Sequence, residues 1–171
     1  YNSTTGTLRS RLVTEAWSSS ASMSLAKDSI IQAGVGTQAS ALVIGGGTPG
    51  GDTATTEEYN GTGWSAGGVL ASARRDVGGA GTQTSALAFG GFSPPVILNL
   101  TEEYDGTTWT VQNVMGTATR GAAGAGIQTA ALAIGGAAPG ASTKTEEYDG
   151  TNWTAGGVLG TARSYMAAGG T

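Results

Sequence analysis

The chain has 171 residues, including 31 Gly, 4 Trp and neither Cys nor His, and carries a formal net charge of −4 with only 8 Lys+Arg. That composition excludes a disulfide scaffold, a thiol nucleophile, Cys- or His-ligated metals and a Ser-His-Asp triad. Few cations argue against a nucleic-acid surface, no apolar run approaches the ~20 residues of a membrane helix, and the length suits one domain with a real core.

The N-terminal stretch is the least regular. Residue 1 is Tyr, which reads as a processed or excised N-terminus. Leu8, Leu12 and Val13 precede Trp17, and a Ser-rich stretch follows over 18–24. Residues 1–28 are expected to supply the outer strands of a partial, degenerate first repeat.

From there a repeat governs the chain. Thr56-Glu57-Glu58-Tyr59-Asn60-Gly61 returns as Thr101-Glu102-Glu103-Tyr104-Asp105-Gly106 and as Thr145-Glu146-Glu147-Tyr148-Asp149-Gly150. Each copy is followed by a Trp: Trp64, Trp109 and Trp153, at intervals of about 45 residues, with Trp17 one further period upstream. A second block shares the period. Ala41-Leu42-Val43-Ile44-Gly45-Gly46 matches Ala86-Leu87-Ala88-Phe89-Gly90-Gly91 and Ala131-Leu132-Ala133-Ile134-Gly135-Gly136. A third block contains Ala73-Arg74-Arg75, Ala118-Thr119-Arg120 and Ala162-Arg163-Ser164.

Each block predicts strand. The Ala-Leu runs are short, apolar and closed by Gly pairs, which suits a buried strand and breaks a helix. After each Glu-Glu-Tyr run, Asn60-Gly61, Asp105-Gly106 or Asp149-Gly150 supplies the positive φ of a tight hairpin turn. Tyr59 and Trp64 then flank one turn, as do Tyr104 with Trp109 and Tyr148 with Trp153. The four strands of a repeat are the Ala-Arg block running into the following Gly-rich stretch, the Ala-Leu run, the Glu-Glu-Tyr run and the Trp strand. Four short strands in about 45 residues predict an all-β fold, a β-propeller with one blade per repeat.

The Gly-Gly doublet followed by Tyr and Trp resembles the kelch repeat, over residues 29–171. The Gly/Ala/Thr-rich style is closer to kelch-like repeats of phage and marine microbial surface proteins. Tyr and Trp stand nearer to each other than in most kelch repeats. The resemblance implies four-stranded blades, about 3.5–4 of them. One blade covers 29–64 with Trp64, one 73–109 with Trp109 and one 118–153 with Trp153. Residues 162–171 open a further or shared blade, and all belong to one domain. Gly45, Gly46, Tyr59, Trp64, Gly90, Gly91, Tyr104, Trp109, Gly135, Gly136, Tyr148 and Trp153 are its structural repeat positions. Strands from the two ends of the chain could share a blade and close a four-bladed ring, though that blade would lack one inner strand; kelch-like rings usually hold six or seven blades, which a second chain or flanking sequence could complete. Unclosed blades would expose strand edges and favour self-association. The copper oxidase chemistry known in that family needs His and Cys, which this chain lacks.

The paired carboxylates are the first candidates for chemistry: Glu57/Glu58, Glu102/Glu103 and Glu146/Glu147. A glycosidase needs two carboxylates facing each other across a substrate, whereas neighbours on a strand point to opposite faces. Recurrence once per repeat marks them as structural, with Arg75, Arg120 and backbone N–H groups as expected partners. The Tyr/Trp ladder is expected to pack between blades rather than to stack on sugars. Gly45-Gly46-Gly47-Thr48-Pro49-Gly50 fits G-x-G-x-x-G but opens no helix, so it is not a dinucleotide site. Sequons start at Asn2, Asn60, Asn99 and Asn152, of which Asn99 is the best-placed acceptor. Asp52, Asp105 and Asp149 lack clustered ligands, so no metal and no cofactor is expected.

The expected function is that of a non-enzymatic structural or recognition module on a virion, an extracellular fibre or a cell surface. The segments 47–55, 92–100 and 137–144 vary most over the repeated frame, and such loops would contact glycan or protein. The alternatives are a lectin with one sugar site per blade and a polysaccharide-active enzyme using Glu or Asp. The partners expected are further copies of the chain or a glycan or cell-surface receptor; a nucleic acid and a membrane span are not.

Overall fold

The structure, a computed structural model, describes residues 21–30 and 34–170. Leu8, Leu12, Val13, Trp17 and the Asn2 sequon lie outside the described residues. Among the described residues the fold is all-β and contains no helix. The first repeat forms β1 (Gly34–Thr37), β2 (Ser40–Ile44), a short hairpin of β3 (Gly47–Thr48) and β4 (Gly51–Asp52), then β5 (Thr55–Tyr59) and β6 (Trp64–Val69). The second forms β7 (Gly78–Thr82), β8 (Ser85–Phe89), a hairpin of β9 (Phe92–Ser93) and β10 (Val96–Ile97), then β11 (Thr101–Tyr104) and β12 (Trp109–Gln112). The third forms β13 (Ala123–Ile127), β14 (Ala130–Ile134), β15 (Thr145–Tyr148) and β16 (Trp153–Ala155), its small hairpin reduced to an Ala137–Ala141 bridge.

Each repeat is one four-stranded antiparallel sheet, ordered β1-β2-β5-β6, β7-β8-β11-β12 and β13-β14-β15-β16. The register is the same in all three. Tyr59 pairs with Ala41 and Trp64, Tyr104 with Ala86 and Trp109, and Tyr148 with Ala131 and Trp153. The Tyr–Trp pair therefore closes every hairpin, with the rings 4.8–5.1 Å apart.

The turns differ from the expected tight pair of positive-φ residues. Each spans four residues, and of its Asn/Asp-Gly pair only the Gly has positive φ: Gly61, Gly106 and Gly150, at 89°, 91° and 91°. The residue before it acts through its side chain instead. Asn60 Oδ1 accepts from Thr62 N and Gly63 N, Asp105 Oδ1 from Thr107 N and Thr108 N, and Asp149 Oδ1 from Thr151 N and Asn152 N, at 2.7–3.0 Å. These are Asx turns, which explains why Asn and Asp interchange there.

The first strand of each sheet also starts later than expected. Ala73, Arg74 and Arg75 precede β7 rather than opening it, and Arg75 makes only an isolated bridge to Phe92. Asp76 has φ 56°, a left-handed conformation that an extended ladder cannot contain. Residues 71–77 thus form a leg that leads into the sheet, and residues 24–30 and 116–122 occupy the same place in their repeats. Ser29 shares the left-handed turn, at φ 54°.

The core lies between successive sheets. Leu42 and Ile44 of β2 pack with Leu70, Val77, Ala86, Ala88 and Tyr104 from the first and second repeats, and Trp109 packs against this cluster. Leu87 and Phe89 of β8 pack with Met115, Ala122, Ala131, Ala133 and Tyr148, and Trp153 packs against that one. The first strands β1, β7 and β13 lie side by side. Their approach is so close that a Cβ on Gly124 would sit 2.0 Å from the Gly79 carbonyl oxygen. Only Gly fits such a contact, which is why these strands read Gly-Gly-Ala-Gly and Ala-Gly-Ala-Gly.

Candidate functional site

The repeated polar residues form the junctions between sheets. Tyr104 Oη donates to Glu58 Oε1 at 2.5 Å and accepts from Gly68 N at 3.1 Å. Tyr148 Oη donates to Glu103 Oε1 at 3.0 Å. The indole N–H of Trp109 donates to Thr56 Oγ1 at 3.0 Å, and that of Trp153 to Thr101 Oγ1 at 2.8 Å. Gln83 and Gln128 complete the pattern. Gln83 Nε2 donates to the carbonyls of Ala41 and Tyr59 at 3.1 and 2.6 Å, and Gln128 Nε2 to those of Ala86 and Tyr104 at 3.0 and 2.7 Å. Most of these bonds run from donors on the later sheet to acceptors on the earlier one, while Ser40 and Ser85 Oγ donate the other way, to Gln83 and Gln128 Oε1 at 2.6 and 2.8 Å.

The two carboxylates of each pair separate as strand alternation requires. Glu57, Glu102 and Glu146 are buried, 2 %, 1 % and 7 % exposed, whereas Glu58 and Glu103 meet the next sheet's Tyr. Glu102 accepts from Arg74 Nη1 at 2.6 Å and from Ala71 N at 2.8 Å. Glu57 accepts from Ser24 N and Oγ at 2.7 and 2.6 Å, with Lys27 Nζ 3.8 Å away. Glu146 accepts from Gly116 N at 2.8 Å, but the residue in the Lys27/Arg74 position is Thr119. A cavity of about 20 Å³, lined by Thr119, Glu146, Met115 and Ala133 among others, opens there. Arg75 and Arg120, the expected partners of the Glu pairs, are not their partners. They stand one residue further along the leg, past the buried Glu. Arg75 binds Asp52 at 2.7 Å, and both guanidinium groups lie over the Phe92 ring, at 5.1 and 4.5 Å from its centroid.

The Gly doublets tie each sheet to the following leg. Gly46, Gly91 and Gly136 donate their N–H to the carbonyls of Arg74, Thr119 and Arg163 at 2.8–3.0 Å. Gly45, Gly90 and Gly135 have φ of 60°, 63° and 64°, and a Cβ on any of them would meet those same carbonyls at 2.4–2.5 Å. The segment containing Gly45, Gly46, Gly47 and Gly50 runs into the β3–β4 hairpin, with no helix to receive a phosphate.

Asn99 is half-buried, and its Nδ2, the atom a glycan would be attached to, donates to the Met115 carbonyl at 3.1 Å. Asn60 is exposed in its Asx turn, and Asn152 Oδ1 accepts from Asn113 Nδ2 at 3.0 Å. Among the described residues no group of three or more His, Cys, Asp or Glu could hold a metal, and no helix is long and apolar enough to cross a membrane.

Burial, and then donation to Glu58 and Glu103, push the Tyr104 and Tyr148 hydroxyls above the usual phenol range. A raised phenol pKa favours the fold fully below pH ~10, and that contribution is lost as pH climbs through the raised value. Alkaline titration is therefore expected to ionise these two tyrosines only as the sheet signal in circular dichroism collapses. In Glu103→Gln, phenolate absorbance from Tyr148 is expected at lower pH than in the parent; an unchanged titration would dissociate the pair from the shift. Backbone N–H groups of Thr108 and Thr107 hold the Asp105 carboxyl below its ordinary value, and those of Asn152 and Thr151 do the same for Asp149.

No family model matches the chain, and no curated protein is similar to it.

Proposed function

We propose that the three sheets are blades of a kelch-like β-propeller, and that the chain is a non-enzymatic recognition module displayed on a virion, an extracellular fibre or a cell surface. The observation that carries this reading is the division of labour among the residues. At the two junctions between the sheets the repeated Glu, Tyr, Trp and Gln side chains are consumed by bonds within and between sheets. Variation is concentrated in the small hairpins that follow each Gly doublet: β3–β4, β9–β10 and the Ala137–Ala141 bridge.

The second of these hairpins has the richest chemistry. Phe92 lies beneath two guanidinium groups, Arg75 is neutralised by Asp52, and Val96 at the tip is 53 % exposed. An aromatic ring with flanking cations suits a sugar or an acidic peptide. Binding on a glycan array and to extracellular proteins is expected to fall at least tenfold in Arg120→Gln and Val96→Asp, with melting temperature held. Retained binding in both variants would remove this hairpin from the contact surface.

The polysaccharide-active alternative predicts that changing one of the six paired Glu to Gln abolishes turnover without unfolding. Under the module reading, no glycan is cleaved by the parent protein, and changes at Glu57 or Glu102 lower stability instead.

A further inference from the structure

The β9–β10 hairpin and the leg that follows it hold a cation with no counter-ion. The preceding repeat shows what is missing. In the β3–β4 hairpin Asp52 stands opposite Gly47, and its carboxylate accepts from Arg75 of the next leg at 2.7 Å. In the β9–β10 hairpin Ile97 stands opposite Phe92, in the place of Asp52, and the next leg presents Arg120. Arg120 therefore meets the Phe92 ring, 4.5 Å from its centroid, and no carboxylate. Its Nε is buried without a hydrogen-bond partner, and among the described residues it makes no ion pair. A half-buried guanidinium short of acceptors suits a carboxylate brought by a ligand.

The legs bring two further groups beside it. Gly121 N donates to the Asp76 carbonyl and Tyr165 N to the Gly121 carbonyl, both at 2.8 Å. The Tyr165 ring covers Gly121, where a Cβ would meet Cδ1 and Cε1 at 2.7 Å, and Tyr165 is 40 % exposed. Its hydroxyl donates to Asp76 Oδ2 at 3.2 Å, which among the described residues is the one side-chain bond of that carboxylate. Burial and then Asp76 push the Tyr165 hydroxyl above its ordinary range, while Arg120 and Arg75 pull against them, so these groups share one electrostatic site. We infer that the cluster binds an acidic sugar, a hexuronate, an assignment that rests on the Phe92 hairpin being a contact surface. The sugar carboxylate takes the place against Arg120 that Asp52 takes against Arg75. Its hydroxyls donate to Asp76, and its ring lies on Tyr165. An acidic peptide would satisfy Arg120 but set its further carboxylates against Asp76, whereas a uronate meets Asp76 with neutral donors.

NMR titration of the whole chain with oligomers of galacturonate, glucuronate and mannuronate, each beside its methyl ester, tests the assignment. At least one acid form is expected to bind and to shift the Arg120 Nε–H resonance. It is expected to bind at least tenfold more tightly than its ester, which keeps the ring and hydroxyls without the charge. Arg120→Gln is expected to erase the difference between acid and ester. Ile97→Asp gives Arg120 the carboxylate that Arg75 already has, and is expected to weaken acid binding at least tenfold with melting temperature held. Failure of every acid form to bind, acid and ester bound equally, acid binding unchanged in Ile97→Asp, or a Glu-rich peptide bound where no uronate is would each overturn it. Equal binding of acid and ester that is lost in Val96→Asp overturns the uronate and leaves the hairpin as the contact surface. Acid binding that withstands Val96→Asp but not Arg120→Gln removes the hairpin tip and keeps the uronate.

Discussion

Replacing Arg74 with Met is expected to destabilise the protein by about 3–5 kcal/mol, because it strands the Glu102 carboxylate in the interior. The pair is dry: the Arg74 and Glu102 side chains are 0 % and 1 % exposed, with Nη1 2.6 Å from Oε1. Taking either ion out of water is costly, and the contact between them offsets that cost only while both are present. Arg74 also closes the junction mechanically, since its carbonyl accepts from Gly46 N and its Cδ lies 3.1 Å from where a Gly91 Cβ would be. For a chain of this size the loss corresponds to a fall in melting temperature of roughly 10 °C. The double substitution Arg74→Met with Glu102→Met removes both charges and is expected to recover most of the loss. A single substitution with no thermal effect would show that Glu102 reaches water by another route.

The third repeat supplies the internal comparison. Glu146 keeps its backbone donor but faces Thr119, whose Oγ1 is buried without a partner beside the small cavity. The Lys27, Arg74, Thr119 series shows one position surviving a weak ion pair, a tight ion pair and none. The burial of the carboxylate is the constant, and its backbone N–H donor is what all three repeats keep.

The period made the sheets legible. Glu-Glu-Tyr, Asn/Asp-Gly and Trp each recur in order, and the structure forms a four-stranded antiparallel sheet from each copy. The partners of the Glu pairs were harder to read, because Arg74 and Arg75 are adjacent and point to opposite sides of a leg that is not a strand. Nothing in the sequence marks Asp76 as left-handed; that conformation is imposed by the close approach of the legs, where Asp76 N donates to the Ser29 carbonyl at 3.0 Å. The Gln38, Gln83, Gln128 series was visible at the same period as the aromatic residues. Its role was not, because a Gln in a turn reads as solvated until a second sheet is brought against it.

Trp109→Ala is expected to cost about 3–5 kcal/mol, the range for truncating a large aromatic in a core. Its ring stacks on Tyr104 at 4.8 Å and 29°, packs against the cluster built on Leu42 and Ile44, and donates to Thr56, itself 1 % exposed. Trp109 therefore belongs to the second sheet by sequence and to the first by contact, and removing it loosens two sheets at once. Two milder variants separate the contributions. Trp109→Phe keeps most of the ring and loses the N–H, leaving the buried Thr56 hydroxyl short of one partner, at about 1 kcal/mol. Thr56→Val leaves the indole N–H unsatisfied instead, at about 1–3 kcal/mol. Chemical denaturation of the three variants is expected to rank Trp109→Ala well below both. Trp64→Ala, at the position with no indole acceptor among the described residues, is expected to cost less than Trp109→Ala despite the identical hairpin pairing. Equal losses at Trp64 and Trp109 would place the stabilisation in the Tyr–Trp contact of each hairpin rather than in the junction between sheets.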